Sequence, residues 1–541
     1  MEEVSYQTQE LDHLGIVAGV CNEIGLVKHL DSIMEHDGRK VTIGEAVQAM
    51  VLNALGFVSR PLYLTPEFFD NKPVEILIRP GLKADDLNED SLGRALDALY
   101  AKGVTEVFAK VAFHALSVYG IEHDFYHLDS TSFSFHGTYE RESTDEAIEI
   151  TRGYSRDHRP DLKQAVLSII CSHKSSIPLW LEVHSGNEVD KTLFPKIIDA
   201  YVEQLEEGVK PCFIADSALY VEEHLQPLSE KVIWVTRVPM TIKEAKLLVN
   251  ETDAESMEIS EQEGYRLHEA SSCYGNVEQR WLVVYSAAAY KRERATLQKR
   301  IDRELEEAQK AVWHLRNQEF SSKEDAEKVG RDLEKIWSYH SFDMNLEPIY
   351  RYGTRGRPKA GSKPTKVLWK AVGEPVKESS KVEAVEKTLG KFILATNQLD
   401  SEQMPLQKIL DTYKSQTVSV ERGFRFLKDP MFFADGFFLK KQERIMALLM
   451  VMGLSLLVYS LAERKLRLEL ARKNDSIPNQ VGKPTKTPTM RRIFQLFQGI
   501  HVLLITEQGK TRQMVVNLKV IHRMVISLLG HEVEKCYFYN L

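Results

Sequence analysis

The sequence predicts an α/β protein built on a mixed β-sheet, with an all-helical domain before the sheet and a large insertion within it. Three observations predict this class. Residues 1–120 carry apolar side chains at helical spacing, residues 121–239 combine strand-like and helix-like segments, and residues 240–397 interrupt that series with a highly charged helix and a loop without acids. At 541 residues the chain is also too long for a single core.

The first 120 residues are predicted to form a small all-helical domain. The stretches TIGEAVQAMVLNALGFV and SLGRALDALYAKGVTEVFAKVAFHALSVYG are rich in Ala, Leu and Glu, with apolar residues recurring every three or four positions. Pro61, Pro66 and Pro73 fall in the connection between them, where proline ends helices.

Residues 121–239 are predicted to form three strands, a helix, a strand, a helix and a last strand. The strand-like segments are DFYHLDSTSFSFHG, QAVLSIICS, PLWLEVHS, KPCFIADSALY and KVIWVTRVP, and the helices are KTLFPKIIDAYVEQLEEG and VEEHLQPLSE. Three strands joined by short turns form an antiparallel meander, whereas a doubly wound fold would place a helix between every two strands. The order is therefore that of an RNase H-like sheet.

The insertion, residues 240–397, combines strands with exposed charge. RWLVVYSAAAY and KFILATN are strand-like, and the helix KRERATLQKRIDRELEEAQKAVWHLRNQEF is polar nearly all round, so it is expected to be exposed or paired in a helical hairpin. Residues 398–475 then complete the core, and residues 476–541 are predicted to be a helical region for dimerisation or DNA contact.

Composition excludes several classes of protein. The five cysteines are scattered without CxxC spacing, so neither a zinc ribbon nor a disulfide framework is expected. A cytoplasmic location is expected instead. The acidic N-terminus is not a signal peptide. Ile445 to Ala462 is apolar enough to raise the question of a membrane span, but its charged flanks favour a buried core helix and no membrane.

Charge leaves nucleic acid binding open. The net charge of −8 argues against non-specific coating of nucleic acid, yet residues 351–373 and 483–492 contain no acid. Each of these stretches is either a DNA-binding patch or a solvated linker, and the sequence does not decide between them.

Two aspartates occupy informative positions in the predicted sheet. Asp129 lies near the middle of the first strand, and Asp216 ends the fourth. These strands are adjacent and parallel in an RNase H-like sheet, so the two carboxylates can lie side by side. With a third acid they would hold two Mg²⁺ or Mn²⁺ ions, which suit hard oxygen ligands and catalyse in-line displacement at phosphorus.

Glu421, in VERGFRFLKDP, is the candidate for the third acid. Arg422, Arg425 and Lys428 surround it, and on a helix Arg425 and Lys428 share its face, where cations can bind DNA phosphates. An ion pair between Glu421 and Arg425 is the simpler alternative. Phe424 and Leu427 are expected to anchor the helix to the core.

The loop GYSRDHRPDLKQ precedes the second strand near the expected cleft. Its cationic residues are interpreted either as DNA contacts near the cut or as parts of a turn set by Gly153, Pro160 and Asp161; they are Arg156, His158, Arg159 and Lys163. Farther on, Asn187, Glu188 and Asp190 are expected to form a helix N-cap region and not further metal ligands.

Several separated motifs in one order resemble the DDE transposases of bacterial insertion sequences. They are HLDSTSFSFHG, GYSRDHRPDLKQ, FIADSALY and VERGFRFLKDP, and the similarity is to the branch with a β-rich insertion before a Tyr-Arg-Glu-Lys glutamate helix. The resemblance covers most of the chain. It implies that Asp129, Asp216 and Glu421 are the catalytic, metal-binding triad, and that Lys428 keeps the family's step of seven residues after the glutamate.

The upstream half of the glutamate helix departs from that family pattern. Thr417 stands where the family has arginine and Lys414 where it has tyrosine, while Tyr413 and Gln416 are each one place early. Tyr413 and Gln416 are nevertheless retained as predicted DNA contacts, together with cations of the basic insertion loop, namely Arg355, Arg357 and Lys359.

The resemblance also implies an activity and partners. The expected enzyme nicks element ends with Mg²⁺, for which Mn²⁺ substitutes, and joins 3′-hydroxyls to target DNA. A homodimer on paired double-stranded ends is implied, with the N-terminal helical domain helping to hold the DNA in the bacterial cytoplasm. An RNase H-like nuclease or resolvase without strand transfer is the alternative enzyme, and a non-catalytic DNA-binding protein derived from a transposase is the third possibility.

Overall fold

The computed structural model describes most of the chain, and the statements below concern residues 4–35, 38–57, 61–121, 125–137, 139, 147–156, 159–173, 176–205, 208, 210–353, 361–416, 420–429 and 439–538. The chain divides into two compact units. The first comprises Met1–Thr236, Gly275–Val277 and Asp411–Leu541, and the second comprises Arg237–Tyr274 and Glu278–Leu410. The finer division into five domains stays a prediction.

The N-terminal region of the first unit is mainly helical. Its helices are α1 (Leu14–Glu23), α2 (Leu26–Ile33), α3 (Ile43–Leu55), α4 (Thr65–Phe69), α5 (Val74–Leu77), α6 (Glu89–Lys102) and α7 (Val104–Tyr119). The prediction that this region is all-helical is wrong at its start, because β1 (Ser5–Glu10) precedes the helices and pairs antiparallel with a strand near the C-terminus.

The sheet of the first unit follows the predicted order of elements. These are β2 (Phe125–Phe135), β3 (Lys163–Ser172), β4 (Pro178–Ser185), α8 (Asp190–Val202), β5 (Cys212–Ala215), α9 (Glu222–Lys231) and β6 (Ile233–Arg237). The strand order is β4-β3-β2-β5-β6. β2 to β4 pair antiparallel, whereas β2–β5 and β5–β6 pair parallel. This mixed sheet is consistent with the predicted RNase H-like architecture.

The second unit contains the insertion. Its elements are α10 (Lys243–Glu251), β7 (Glu258–Ile259), β8 (Tyr265–Tyr274), β9 (Val277–Ser286), α11 (Ala287–Arg316), α12 (Lys323–Glu334), β10 (His340–Arg351), β11 (Lys366–Lys377), α13 (Ser379–Glu386), β12 (Lys391–Thr396) and α14 (Leu406–Lys414), which leads back to the first unit. β10 and β11 form a long antiparallel hairpin, and the neighbouring strands β12-β9-β8-β7 follow one another in a sheet.

The charged helix α11 begins earlier than predicted and is largely exposed, which is one of the two expected alternatives. It begins at Ala287, so the AAAY residues expected to continue a strand are helical, because the Ser286 hydroxyl accepts the Ala289 N–H and caps the helix there. A narrow apolar stripe of α11 packs on β11. That stripe joins a buried cluster, made of Ala308, Val312, Leu315, Trp337, Phe342 and Ala371.

The C-terminal part of the first unit contains helices and strands. They are α15 (Arg422–Leu427), α16 (Gln442–Lys473), β13 (Ile477–Pro478), β14 (Pro484–Thr485), α17 (Met490–Leu496), β15 (His501–Glu507), β16 (Lys510–Val516), α18 (Val520–Leu529) and α19 (His531–Tyr537). The expectation of a purely helical region at 476–541 is therefore wrong. β15 lies between β1 and β16 in a small sheet, which joins the two ends of the chain.

Helix α16 is the central helix of the first unit. Among the described residues it is the helix long and apolar enough to span a membrane, and 89% of its most apolar window is buried inside the structure. It packs against α1, α3, α6, α7 and β4. The packing is close, since a Cβ added at Gly453 would lie 2.4 Å from Leu181 Cδ1. The prediction that Ile445 to Ala462 is a buried core helix is confirmed.

Candidate active site

The sheet places Asp129 and Asp216 level with each other. β2 and β5 are parallel neighbours, with His127 opposite Ile214, so continuing the register by two residues sets Asp129 opposite Asp216. Adjacent strands lie about 4.8 Å apart, and residues two apart share a face. The two aspartates are thereby brought together, as the sequence predicted.

Backbone hydrogen bonds fix both carboxylates. The Ser130 N–H donates to Asp129 Oδ1 at 2.8 Å, and the Ala218 N–H donates to Asp216 Oδ1 at 2.9 Å. The Thr236 hydroxyl, on the next strand, donates to the Asp216 carbonyl oxygen at 2.6 Å and holds the chain where β5 ends. Each carboxylate keeps an oxygen beyond these bonds for another ligand.

The electrostatics of the pair favour a cation. The pKa of Asp129 is raised to about 7, mainly by burial; the negative charges of Asp216 and Asp190 add to the rise, and the Ser130 N–H and Arg156 oppose it. Burial also raises the pKa of Asp216, to which Asp190 adds, while the Ala218 N–H and Arg156 oppose the rise. Two half-buried carboxylates that resist ionisation gain stability from a nearby positive charge.

A third aspartate, Asp190, lies beside this pair at the first residue of α8. Its carboxylate accepts hydrogen bonds from the Ser130 hydroxyl and from the Arg156 guanidinium, which also donates to Ser130 Oγ at 2.7 Å. An N-cap region was expected here, and the N-cap residue of α8 is Val189, next to Asp190. That expectation did not include the contacts of the Asp190 side chain with Ser130 and Arg156. In the sequence, Asp190 stands a short loop after β4, a strand that runs in the same direction as β2.

Glu421 lies immediately before α15, with an exposed side chain. Contacts on both sides of it in the chain place its segment along β2. The Ser415 hydroxyl lies 3.1 Å from His127 Nε2, and Lys428 Nζ lies 5.9 Å from the centre of the Phe133 ring. His127 and Phe133 flank Asp129 on the strand, so the glutamate segment runs past the aspartate pair.

The predicted triad does not come together as a closed metal site. Within the ranges that the structure describes, no group of three His, Cys, Asp or Glu side chains could hold a metal ion. The charges acting on the aspartate pair are those of Asp190 and Arg156. The donor set of Asp129 and Asp216 is nonetheless all oxygen, which fits Mg²⁺ or Mn²⁺.

Helix α15 is anchored by a buried acid that sequence reasoning missed. Glu463 on α16 accepts hydrogen bonds from Arg422 at 2.6 Å and from the Met490 N–H at 3.1 Å, and it also pairs with Arg467 at 2.9 Å. Phe424 and Leu427 of α15 are buried, so the prediction that they anchor the helix is confirmed. Glu463 directly follows the apolar run and begins the charged stretch ERKLR, and nothing local in the sequence shows its partners.

The cations around Glu421 have different surroundings. Arg422 forms an ion pair with Glu463. To contact DNA as predicted, Arg422 would have to break this ion pair or bind phosphate in addition to it. Arg425 is exposed, and Lys428 is half-buried. Among the described residues, Glu421 and Arg425 do not form the ion pair that was the simpler alternative.

The remaining predicted DNA contacts vary in exposure. Gln416 is buried, with 7% of its surface exposed, and Tyr413 is half-buried. Arg159 is exposed and makes a two-point ion pair with Asp161, and the Lys163 ammonium donates to the Tyr139 carbonyl oxygen at 2.7 Å. Four predicted contacts lie outside the described residues, namely His158, Arg355, Arg357 and Lys359.

Comparison with models of protein families identifies two regions of the chain. Residues 122–459, well over half of the chain, match the model of the transposase DDE domain, and residues 6–113 match a domain of unknown function, DUF4277. A search of curated proteins finds no match. Among solved structures, the chain is similar to a piggyBac transposase in its synaptic complex with hairpin DNA, at 9% identity and a TM-score of 0.37, over 91% of this chain and 82% of the other.

Proposed function

Because the chain belongs to the transposase DDE domain family, whose members are metal-dependent polynucleotidyl transferases, we propose that it is the transposase of a bacterial insertion sequence. It would cut DNA at the ends of that element and join the freed 3′-hydroxyls to target DNA. The observation that carries the proposal is the Asp129–Asp216 pair, two carboxylates level on adjacent parallel strands with raised pKa values.

In the proposed site, Asp129, Asp216 and Glu421 would hold Mg²⁺, for which Mn²⁺ would substitute. Two such ions would activate the attacking oxygen and stabilise the leaving oxygen at phosphorus. Backbone N–H groups already fix the two aspartates. Glu421 is exposed in a segment whose residue Ser415 contacts the same strand, and its carboxylate would have to move towards the pair to share the metal.

The proposed partners are the double-stranded ends of the element and the target DNA. Exposed cations near Glu421, Arg425 above all, are positioned to bind the phosphate backbone, which Arg can contact through two N–H groups. We further propose a homodimer acting on paired ends in the cytoplasm, without membrane association. The basic end of the β10–β11 hairpin, with Arg351 and Lys366 opposite each other, supports a DNA contact by the second unit.

The alternative enzyme, a nuclease or resolvase, would use the same carboxylates and release cut DNA without joining it. A non-catalytic DNA-binding protein is disfavoured, because Asp129 and Asp216 keep the geometry and the raised pKa values that a binding role does not need. The products of the reaction distinguish these functions.

The test combines the full chain with duplexes that carry the sequences flanking its coding region, in Mg²⁺ or Mn²⁺. We expect nicks with 3′-hydroxyl ends, followed by joined products. D129N, D216N and E421Q are each expected to slow cleavage by at least about 10³-fold, since each removes a metal ligand. E188Q, which neutralises an exposed acid close to Asp190, is the matched control and should cleave normally. Cleavage without joining would favour the nuclease, and cleavage by D129N at the wild-type rate would refute the site.

A further inference from the structure

Arg156 is held beside the aspartate pair through the Nη2 atom of its guanidinium. Nη2 donates to both Ser130 Oγ and the Asp190 carboxylate, which uses both Nη2 hydrogens. The backbone N–H of Arg156 donates to Ser132 Oγ at 3.3 Å. The three N–H groups on Nη1 and Nε have no partner among the residues that the structure describes, so they are open to a further ligand.

The charge of Arg156 acts on both catalytic aspartates. The guanidinium opposes the rise in pKa of Asp129 and of Asp216, which shows that it lies within electrostatic range of each. The Asp190 side chain is 19% exposed and that of Arg156 24%, so the pair forms part of the wall of the site and is not a solvated surface ion pair.

An arginine fixed through Nη2, with open N–H groups on Nη1 and Nε, is suited to bind an oxyanion. Charged N–H groups donate strong hydrogen bonds to phosphate oxygens, and fixing the guanidinium in advance avoids part of the entropy cost of ordering it. In phosphoryl transfer, positive groups placed where negative charge accumulates contribute most to rate. The substrate of the proposed reaction supplies such a group at the phosphate to be cut.

We propose that Asp190 is a positioning residue that, with Ser130, holds Arg156 so that its open N–H groups on Nη1 and Nε bind the phosphate being cut beside Asp129 and Asp216. This inference rests on the proposed function. It assigns Arg156 the phosphate at the site of reaction, and it gives Asp190 a role through Arg156 and not as a metal ligand.

The arrangement makes a distinctive prediction about metal binding. Arg156 places a positive charge next to the carboxylates that would hold the metal, so it opposes metal binding while it assists the reaction. R156Q should therefore bind Mn²⁺ at least about threefold more tightly in the absence of DNA, yet cleave about 10²-fold more slowly. A variant of a metal ligand, such as D129N, cannot combine these effects, because it loses both affinity and rate.

The experiment measures Mn²⁺ affinity of the DNA-free full chain by calorimetry and the single-turnover cleavage rate of the end-bearing duplex. The variants are R156Q, R156K, D190N and the double variant D190N/R156Q. The controls are R152Q, which changes an exposed cation near Arg156, and E188Q, which changes an exposed acid near Asp190. D190N should slow cleavage about tenfold and weaken Mn²⁺ binding, R156K should recover part of the R156Q loss, and the double variant should cleave no more slowly than R156Q.

Two results would overturn the inference. If the losses of D190N and R156Q multiply in the double variant, Asp190 does not act through Arg156. If R156Q binds Mn²⁺ and cleaves as R152Q does, Arg156 has no role at the reacting phosphate. Either result leaves the proposed function intact as long as D129N loses both Mn²⁺ binding and cleavage; retention of both by D129N would instead reject the proposed function itself.

Discussion

Replacing Asp129 with asparagine should make the protein more stable at pH 8 while it abolishes cleavage. Burial is the main reason that the pKa of Asp129 stands at about 7 in the folded chain, against an ordinary value of 3.8. Because the folded chain binds this proton more tightly than the unfolded chain, the free energy of unfolding falls as pH rises from about 4 to about 7 and stays low above that range. Asparagine has nearly the same shape and no charge to bury.

The size of the effect follows from the two pKa values. The folded pKa of about 7 and the ordinary pKa of 3.8 differ by about 3, and each pKa unit corresponds to about 1.36 kcal/mol. The upper limit of the stabilisation by D129N is therefore about 4 kcal/mol. Asp129 is partly exposed, so a gain of about 2–4 kcal/mol at pH 8 is expected for D129N, shrinking towards zero near pH 4.

Urea unfolding of wild type and D129N at pH 5 and pH 8 measures this directly, with E188Q as the control whose exposed acid should change little at either pH. Mn²⁺ should raise the stability of wild type at pH 8 and not that of D129N, because a bound cation compensates the same buried charge. A D129N variant less stable than wild type at pH 8, or a stability difference that does not depend on pH, would refute this reasoning.

Three further substitutions test the supports of the site. E463Q removes the buried charge that pairs with Arg422 and should lower the free energy of unfolding in urea by about 3 kcal/mol. E469Q, which removes one partner of a surface ion pair on the same helix, should lower it by less than about 1 kcal/mol. Equal losses would contradict the role of Glu463 as the anchor of α15. G453A should lower the free energy of unfolding by about 1–3 kcal/mol, since its Cβ has no room in the core, and an unchanged value would argue against the packing of α16. S415A should lower the free energy of unfolding by about 1–2 kcal/mol, because His127 loses a hydrogen-bond partner. Thermal unfolding that shows no such loss would contradict the contact between Ser415 and His127.

The sheet and the aspartate pair were predictable from local patterns. Alternating apolar residues define the strands around Asp129, and the absence of helices between the first three strands requires a meander. Once the first and fourth strands are parallel neighbours, Asp129 and Asp216 must lie close together, because each stands two residues beyond a paired position. The strands therefore follow from periodicity, and the adjacency of the two aspartates follows from the RNase H-like order of elements.

Contacts between distant segments were not predictable in the same way. β1 pairs with β15 almost 500 residues later, and no local pattern in SYQTQE indicates a partner. Asp190 and Glu463 each look ordinary in sequence, since Asp190 stands at the start of a helix and Glu463 in a charged stretch after an apolar run. Their importance comes from Arg156 and Arg422, which only the folded chain brings to them.

The most direct test of the proposed site is an anomalous diffraction map from crystals of the full chain grown with Mn²⁺ and a duplex that carries an element end. The account predicts manganese between the carboxylates of Asp129 and Asp216, with Glu421 brought in as a further ligand and the open Nη1 and Nε N–H groups of Arg156 on the adjacent phosphate. Manganese bound elsewhere, with Asp129 and Asp216 free of it, would contradict the account.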